Sequence, residues 1–276
     1  MMGFFDWLNQ KEEIVEEVCV KRDADFSNFK KVTDFIYEES GITELDKRAL
    51  TSSRAQQYAI SQDVYTTDEF LSHMKSDNDF YQEVINIATV NETFFLREVK
   101  ELEWLVNYIK QENRAMKILS MPSSSGEEIY SILLMLSNEG FDINKLELTG
   151  YDINSYAIAH AKSGEYDEHS LHKIDAQTRA KYFNTYEGHF QITSTLREKP
   201  SFEQKNIFDL GSEKAKYDIV LSRNMFIYFD DEKREIALDI IAKLLKPNGI
   251  YIKGHADHIK QHQNLENIEY GIYKKV

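Results

Sequence analysis

The chain has 276 residues, 42% of them hydrophobic and 29% charged, which supplies a sizeable core and argues against wholesale disorder. Its formal net charge of −14, with no long Lys/Arg run, disfavours nucleic acid as a partner because an acidic surface repels phosphate. A single cysteine, Cys19, rules out an intrachain disulfide, and no run of about 18 apolar residues is available to span a bilayer. The apolar start Met1–Leu8 is broken by Asp6 and followed by Glu12, Glu13, Glu16 and Glu17, unlike a secretory signal. It reads as a short amphipathic segment that docks on the body of the protein or on a partner. A cytoplasmic location without direct membrane insertion is expected.

Roughly the first 110 residues carry apolar side chains at helical spacing. Phe29, Val32, Phe35 and Ile36 share one face of a helix over 26–39, and Ser40-Gly41 is a helix stop. Thr43 to Asp46 opens a second helix. Thr66-Thr67-Asp68-Glu69 has the form of a capping box, with Val64 as its apolar staple. Phe80, Tyr81, Val84, Ile87 and Ala88 mark another helix over 77–89.

The second half changes character. Strands are predicted at 116–121, 146–151, 217–222 and 250–253, with helices at 126–136, 154–162 and 231–245. Lys246-Pro247-Asn248-Gly249 reads as a turn before the last strand. Strand–helix alternation implies a mostly parallel sheet covered on both faces, with ligands bound at the loops after the strand C-termini. The long interval between 162 and 217 calls for a small antiparallel insertion at about 180–205, since a bare loop of that length is improbable. The fold class is therefore α/β, with an N-terminal extension over 1–25, an all-helical domain over 26–95 and a Rossmann-like domain over 96–276.

Four segments could carry chemistry. Met121-Pro122-Ser123-Ser124-Ser125-Gly126-Glu127-Glu128 follows the first strand and opens a helix. A phosphate-binding loop would want more glycines and a Lys; two acids suit ribose hydroxyls and a cationic ligand such as S-adenosylmethionine instead. The same residues also read as an ordinary capped helix start. Asp152 ends the second strand, where a carboxylate can accept two ribose hydroxyls or merely cap the next helix. The third segment runs from Tyr217 through Arg223 and Asn224 to Tyr228, which spacing alone assigns to the core. The fourth, Asn91 to Arg97, lies at the boundary of the two halves and reads either as a cover over the ligand or as a hinge. His255, His258 and His262 have helical spacing but no matching acid or thiolate set, so no metal site is expected.

Together these segments resemble the CheR family of chemotaxis receptor methyltransferases. The resemblance rests on Asn91-x-Thr93-x-Phe95-x-Arg97, Ser124-x-Gly126-Glu127-Glu128-x-Tyr130-Ser131-Ile132, and Asp152 followed by Ala161-x-Ser163-Gly164-x-Tyr166. It continues in Asp218-x-x-x-x-Arg223-Asn224 with Ile227-Tyr228-Phe229, in Leu244-Leu245-Lys246-Pro247-x-Gly249 and in Gly254-His255, all in the family's order. It implies a helical N-terminal domain followed by an S-adenosylmethionine-dependent methyltransferase domain with a small antiparallel β insertion. It implies that Asn91, Thr93, Arg97, Glu128, Asp152, Asn206, Ile207, Ser222, Arg223 and Asn224 line the cofactor site. Arg97 and Tyr228 match the residues placed beside the transferred methyl.

The implied substrate is a glutamate side chain on the cytoplasmic coiled coil of a methyl-accepting chemotaxis receptor, esterified with release of S-adenosylhomocysteine. The family meets the receptor with basic residues on an N-terminal helix. Lys47, Arg48 and Arg54 fill that role here, at spacings that share one broad face. Gln56 and Gln57 stand where more basic residues would be expected. The insertion looks shorter than in members that grip a receptor tail peptide, so no such tether is expected. The competing readings are a non-catalytic S-adenosylmethionine-binding adaptor, against which the retained Arg97 and Tyr228 argue, and a small-molecule methyltransferase.

Overall fold

The structure, a computed structural model, describes residues 22–43, 49–89 and 91–276. Among the described residues four helices come first: α1 (Lys30–Ser40), α2 (Ala49–Ser61), α3 (Thr67–Ser76) and α4 (Asn78–Ala88). Gly41, at φ 73°, closes α1 as the sequence predicts. Thr66 and Glu69 form the reciprocal capping box of α3, and Asp77 caps α4. The expected helix opening at 43–46 lies outside the described residues apart from Thr43. Val32, Ile36, Val64, Phe70, Phe80 and Ile85 are buried together, each contributing about 1.5–3 kcal/mol on leaving water.

After α5 (Val99–Glu112) the chain alternates β1 (Met116–Ser120), α6 (Glu127–Asn138), β2 (Leu146–Asp152) and α7 (Ser155–Ser163). Then come β3 (Glu165–Tyr166), α8 (Ala176–Tyr182), β4 (Phe183–Tyr186), β5 (His189–Ile192), α9 (Ser194–Arg197) and β6 (Ser201–Gln204). The chain ends with β7 (Tyr217–Ser222), α10 (Asp231–Leu244), β8 (Leu245–Lys253), β9 (Leu265–Glu269) and β10 (Ile272–Lys275).

The main sheet has the order β6-β2-β1-β7-β8-β10-β9, parallel from β6 to β8 and antiparallel at the β10 and β9 edge. Strand alternation divides its side chains between two cores. Ile118, Ile219 and Ile250 face one with Leu105 of α5 and Ile132 of α6; Leu119, Val220 and Tyr251 face the other with Leu238 and Ile241 of α10. Strand order reverses at β1, the switch point where such sheets open a ligand crevice.

Three differences from expectation have local causes. The predicted turn at 246–249 is a bulge inside β8: pairing jumps from Tyr217–Leu245 to Ile219–Ile250, with Asn248 at φ 62°. The β9–β10 hairpin was not predicted, because β9 buries only Leu265 and shows no alternation. The small antiparallel sheet exists, in the order β3-β5-β4, but draws its strands from between Glu165 and Ile192; Ser201–Gln204 pairs with β2 in the main sheet instead.

Candidate active site

A cleft of about 640 Å³ opens at the C-terminal ends of β1, β2 and β7, and Ile42, Thr51 and Arg54 of the helical half line it too. The loop after β1 begins with a cis Met121–Pro122 peptide. It is held to β2 by Ser123 N–H donating to Tyr151 C=O (2.8 Å) and Ser124 N–H donating to Asp152 Oδ2 (2.8 Å). Asp152 Oδ1 accepts Asn154 N–H at 2.9 Å. Only 3% of Asp152 is exposed, and burial pushes its carboxyl up to about 6 against the pull of these N–H donors. Each carboxylate oxygen keeps acceptor capacity beyond one bond. The Ser123 and Ser124 hydroxyls are buried and make no hydrogen bond among the described residues, although both residues line the cleft. Orphaned hydroxyls beside a carboxylate fit the hydroxyl and amine groups of a polar ligand.

Across the cleft, Arg223 follows β7 with its side chain only 4% exposed. Nη1 donates to Glu128 Oε2 (2.6 Å), and Nη2 donates to the Arg97 carbonyl (2.5 Å), the Glu98 carbonyl (3.2 Å) and Glu98 Oε2 (3.2 Å). Glu128 Oε1 also accepts the Ser120 hydroxyl at 2.8 Å. Burial raises the Glu98 carboxyl, but Arg223 and the His255 N–H outweigh it and hold the group below its usual range. Arg223 thus ties the ends of β1 and β7 to the 97–98 backbone.

The 91–97 segment divides its labour. Phe95 is fully buried against Tyr166 and Phe183, and Leu96 N–H donates to Ser131 Oγ at 2.9 Å. Asn91, Thr93, Phe94 and Arg97 line the cleft. Arg97 Nη1 donates to the Glu92 carbonyl at 2.5 Å. Tyr228 reaches the same cleft from a short 3-10 turn, Phe226–Tyr228, and also packs, half-buried, against the core on that side of the sheet, as spacing alone suggested. Its carbonyl accepts both the N–H and the hydroxyl of Thr43, each at 2.8 Å. Asn206 lines the cleft while its Nδ2 donates to the Glu39 carbonyl at 2.9 Å, and Ile207 adds an apolar wall.

Of the residues assigned to the cofactor site, all but one line this cleft. The exception is Ser222, fully buried at the end of β7. Arg54 is exposed and lines the cleft; Lys47 and Arg48 lie outside the described residues. The fold corrects the histidine reading. Residues 254–261 form no helix, and α5 brings Glu98 and Glu101 within 4.8 Å of His255. His255 Nε2 lies 2.6 Å from Glu101 Oε1 and Glu98 is paired with Arg223, while the buried Glu101 Oε2 has no hydrogen-bond partner among the described residues. Sequence reasoning also missed Glu98, Lys205 and the buried Asp257. The signal for Asp257 was an acid just past the last parallel strand, in Gly254-His255-Ala256-Asp257.

An acid at the end of β2, another in the first turn of α6, unsatisfied hydroxyls between them and a crevice at the sheet's switch point fit the class of S-adenosylmethionine-dependent methyltransferases. Known proteins narrow this. The CheR methyltransferase SAM binding domain matches residues 91–273. A chemotaxis protein methyltransferase of Campylobacter jejuni is 32% identical over 249 residues, covering 90% of this chain and 93% of that protein. Chemotaxis protein methyltransferase 2 of Vibrio cholerae is 28% identical over 261 residues, covering 90% of each. The Salmonella typhimurium chemotaxis protein methyltransferase is 26% identical over 241 residues, covering 84% of each. The chain belongs to the CheR methyltransferase family, and its cofactor is S-adenosylmethionine.

Proposed function

We propose that the protein transfers a methyl group from S-adenosylmethionine to glutamate side chains of methyl-accepting chemotaxis receptors, forming methyl esters. The observation that carries this reading is the convergence of Arg97, Tyr228, Asp152 and Glu128 on one cleft, in a chain whose relatives are chemotaxis methyltransferases. When bound, S-adenosylmethionine would supply a sulfonium methyl that a nucleophile takes in line, the carbon–sulfur bond breaking so that S-adenosylhomocysteine leaves.

The residues divide the remaining work. Asp152 accepts ribose hydroxyls, the Ser123 and Ser124 hydroxyls complete the polar edge, and Ile207 offers an apolar wall. Asn91, Thr93, Asn206 and Asn224 add polar groups around the rim, and Arg223 keeps Glu128 in place. A glutamate with its ordinary pKa of about 4.3 is ionised at pH 7, so no general base is needed. Arg97 orients that carboxylate through charge-assisted hydrogen bonds. Tyr228 packs against the reacting groups and fixes the line of attack; it carries no proton. Orientation of this kind is worth about 7–11 kcal/mol.

The receptor, an acidic coiled coil, docks on the face bearing Lys47, Arg48 and Arg54. A receptor-tail tether is no part of the proposal, because β4 and β5 are four residues each and joined by the two-residue turn Glu187-Gly188. Among the described residues no helix is long and apolar enough to cross a membrane.

The test is transfer of labelled methyl to receptor membranes, with base-released methanol as the mark of an ester. Arg97→Ala and Tyr228→Ala should each lower kcat by about tenfold or more, one kcal-scale contact being worth that factor. Wild-type rates in both variants would overturn the site assignment. Binding without any transfer by the native protein would favour the adaptor reading.

A further inference from the structure

We infer that Asp257 is a positioning residue for methyl transfer, holding the turn that carries Tyr228 in its productive place. The inference rests on the function proposed above and adds a residue which that function did not use.

Asp257 follows β8 and is fully buried. Its carboxylate gathers three backbone N–H groups. Oδ2 accepts from Asn224 (2.6 Å) and Gly254 (3.1 Å), and Oδ1 accepts from Phe226 (2.9 Å). Two of these donors belong to the segment that leaves β7 and leads straight to Tyr228. That segment cannot satisfy itself. Asn224 sits at φ 63° beyond Ser222, the last paired residue of β7, and its N–H is donated to Asp257 rather than to the sheet ladder. Only an acceptor without donors can take three converging N–H groups; an Asn at this place would turn an NH2 toward one of them.

The surroundings confine the turn on other sides. Arg234 Nε donates to the Phe226 carbonyl at 2.9 Å, and Thr43 takes the Tyr228 carbonyl. Lys253 Nζ donates to the Asp257 carbonyl at 2.8 Å and braces the 254–257 backbone. Gly254 is required here by close approach: a Cβ would lie 2.6 Å from Asn224 N and 3.0 Å from Asp257 Oδ2.

Among the described residues no Lys or Arg hydrogen-bonds the Asp257 side chain. A buried carboxylate bonded only by backbone N–H groups is costly to the fold, and burial raises it to about 6 despite those donors and the nearby Lys253 charge. A group that lowers stability yet organises the backbone beside the reacting groups is explained by what it positions.

The experiment compares wild type, Asp257→Asn and Gly254→Ala. The readouts are kcat on receptor membranes at saturating S-adenosylmethionine, the Kd of S-adenosylhomocysteine by calorimetry, and hydrogen exchange at Asn224 and Phe226. The expected result is a fall in kcat of about a hundredfold, the scale of a 1 Å misplacement, with Kd changed by less than about threefold. Exchange should quicken at Asn224 and Phe226 in Asp257→Asn. Unchanged kcat, or a loss of S-adenosylhomocysteine affinity in step with kcat, overturns the inference. If Asp257→Asn does not fold, Gly254→Ala decides by the same readouts. An inactive wild type would refute the receptor reading instead, and exchange at the two amides would still decide whether Asp257 holds the turn.

Discussion

Replacing Glu127 by Gln should make the protein more stable in alkaline buffer and leave it unchanged in acid. Glu127 opens α6, is 1% exposed, and receives the Ser125 hydroxyl at 3.0 and 2.8 Å from its two oxygens. Burial pushes its carboxyl from 4.5 up to about 7, with the charge of Asp167 adding to the rise. The fold therefore prefers the protonated form. The stability this brings is fully present below the unfolded value of 4.5 and is lost as pH rises through about 7. That interval corresponds to ~3 kcal/mol at 1.36 kcal/mol per pKa unit. In a chain of this size it amounts to a Tm difference of about 6–12 °C. Gln keeps an oxygen for Ser125 and never ionises, so the variant should match wild type near pH 4 and exceed it by up to ~3 kcal/mol above pH 8. Asp152 and Asp257 titrate over a similar range, but they are common to both proteins and cancel in the difference. Calorimetric melting of both proteins across pH 4–8.5 measures it. Parallel Tm curves would refute the burial argument.

Two further outcomes follow from the same geometry. Asp152→Asn should weaken S-adenosylhomocysteine about 10- to 100-fold by calorimetry, the loss of one or two hydrogen bonds to a charged acceptor; unchanged affinity would remove the ribose role from Asp152. Asp218, with its side chain 7% exposed, binds Arg114 Nη1 (2.7 Å), Lys246 Nζ (2.7 Å) and Lys117 N–H (2.8 Å). Burial raises its carboxyl, but these donors hold it below the usual range, so its contribution is present above the unfolded pKa and lost as pH falls through the folded one. Asp218→Ala should cost about 2–4 kcal/mol in a urea titration at pH 7, because two cations lose a buried partner. A loss within about 0.5 kcal/mol, typical of an inconsequential surface change, would contradict that account.

What the sequence made legible was whatever is encoded locally. The Thr66–Glu69 capping box, the Gly41 stop and the β1–α6–β2–α7 alternation each rest on residues within one or two turns of one another. The cleft residues were reached through motif resemblance, since nothing local distinguishes Tyr228 from a core aromatic. The rest was hidden for physical reasons. Lys246-Pro247-Asn248-Gly249 has turn chemistry, and only pairing with β7 turns it into a bulge within a strand. Leu265–Glu269 carries no alternation because both faces of that edge strand are exposed beyond Leu265. His255 is more than 150 positions from Glu98 and Glu101 in sequence and meets them only when α5 packs beside the end of β8. Asp257 looked like an ordinary loop acid, because backbone N–H groups converging from another strand leave no trace in the residues that supply them.

The paired bonds from Thr43 to the Tyr228 carbonyl bear on how this protein could be recombined with its relatives. A helical module and a catalytic module that met only through side chains could be exchanged freely, each bringing its own specificity. Here the linker after α1 grips the main chain of the reactive turn itself, and Asn206 grips that linker's neighbour Glu39. A chimera with a foreign docking half would carry a foreign hand on Tyr228. Substrate choice and catalytic rate would then be inherited together, and exchange of docking halves would work only where the residues around 39–43 travel with their matching turn.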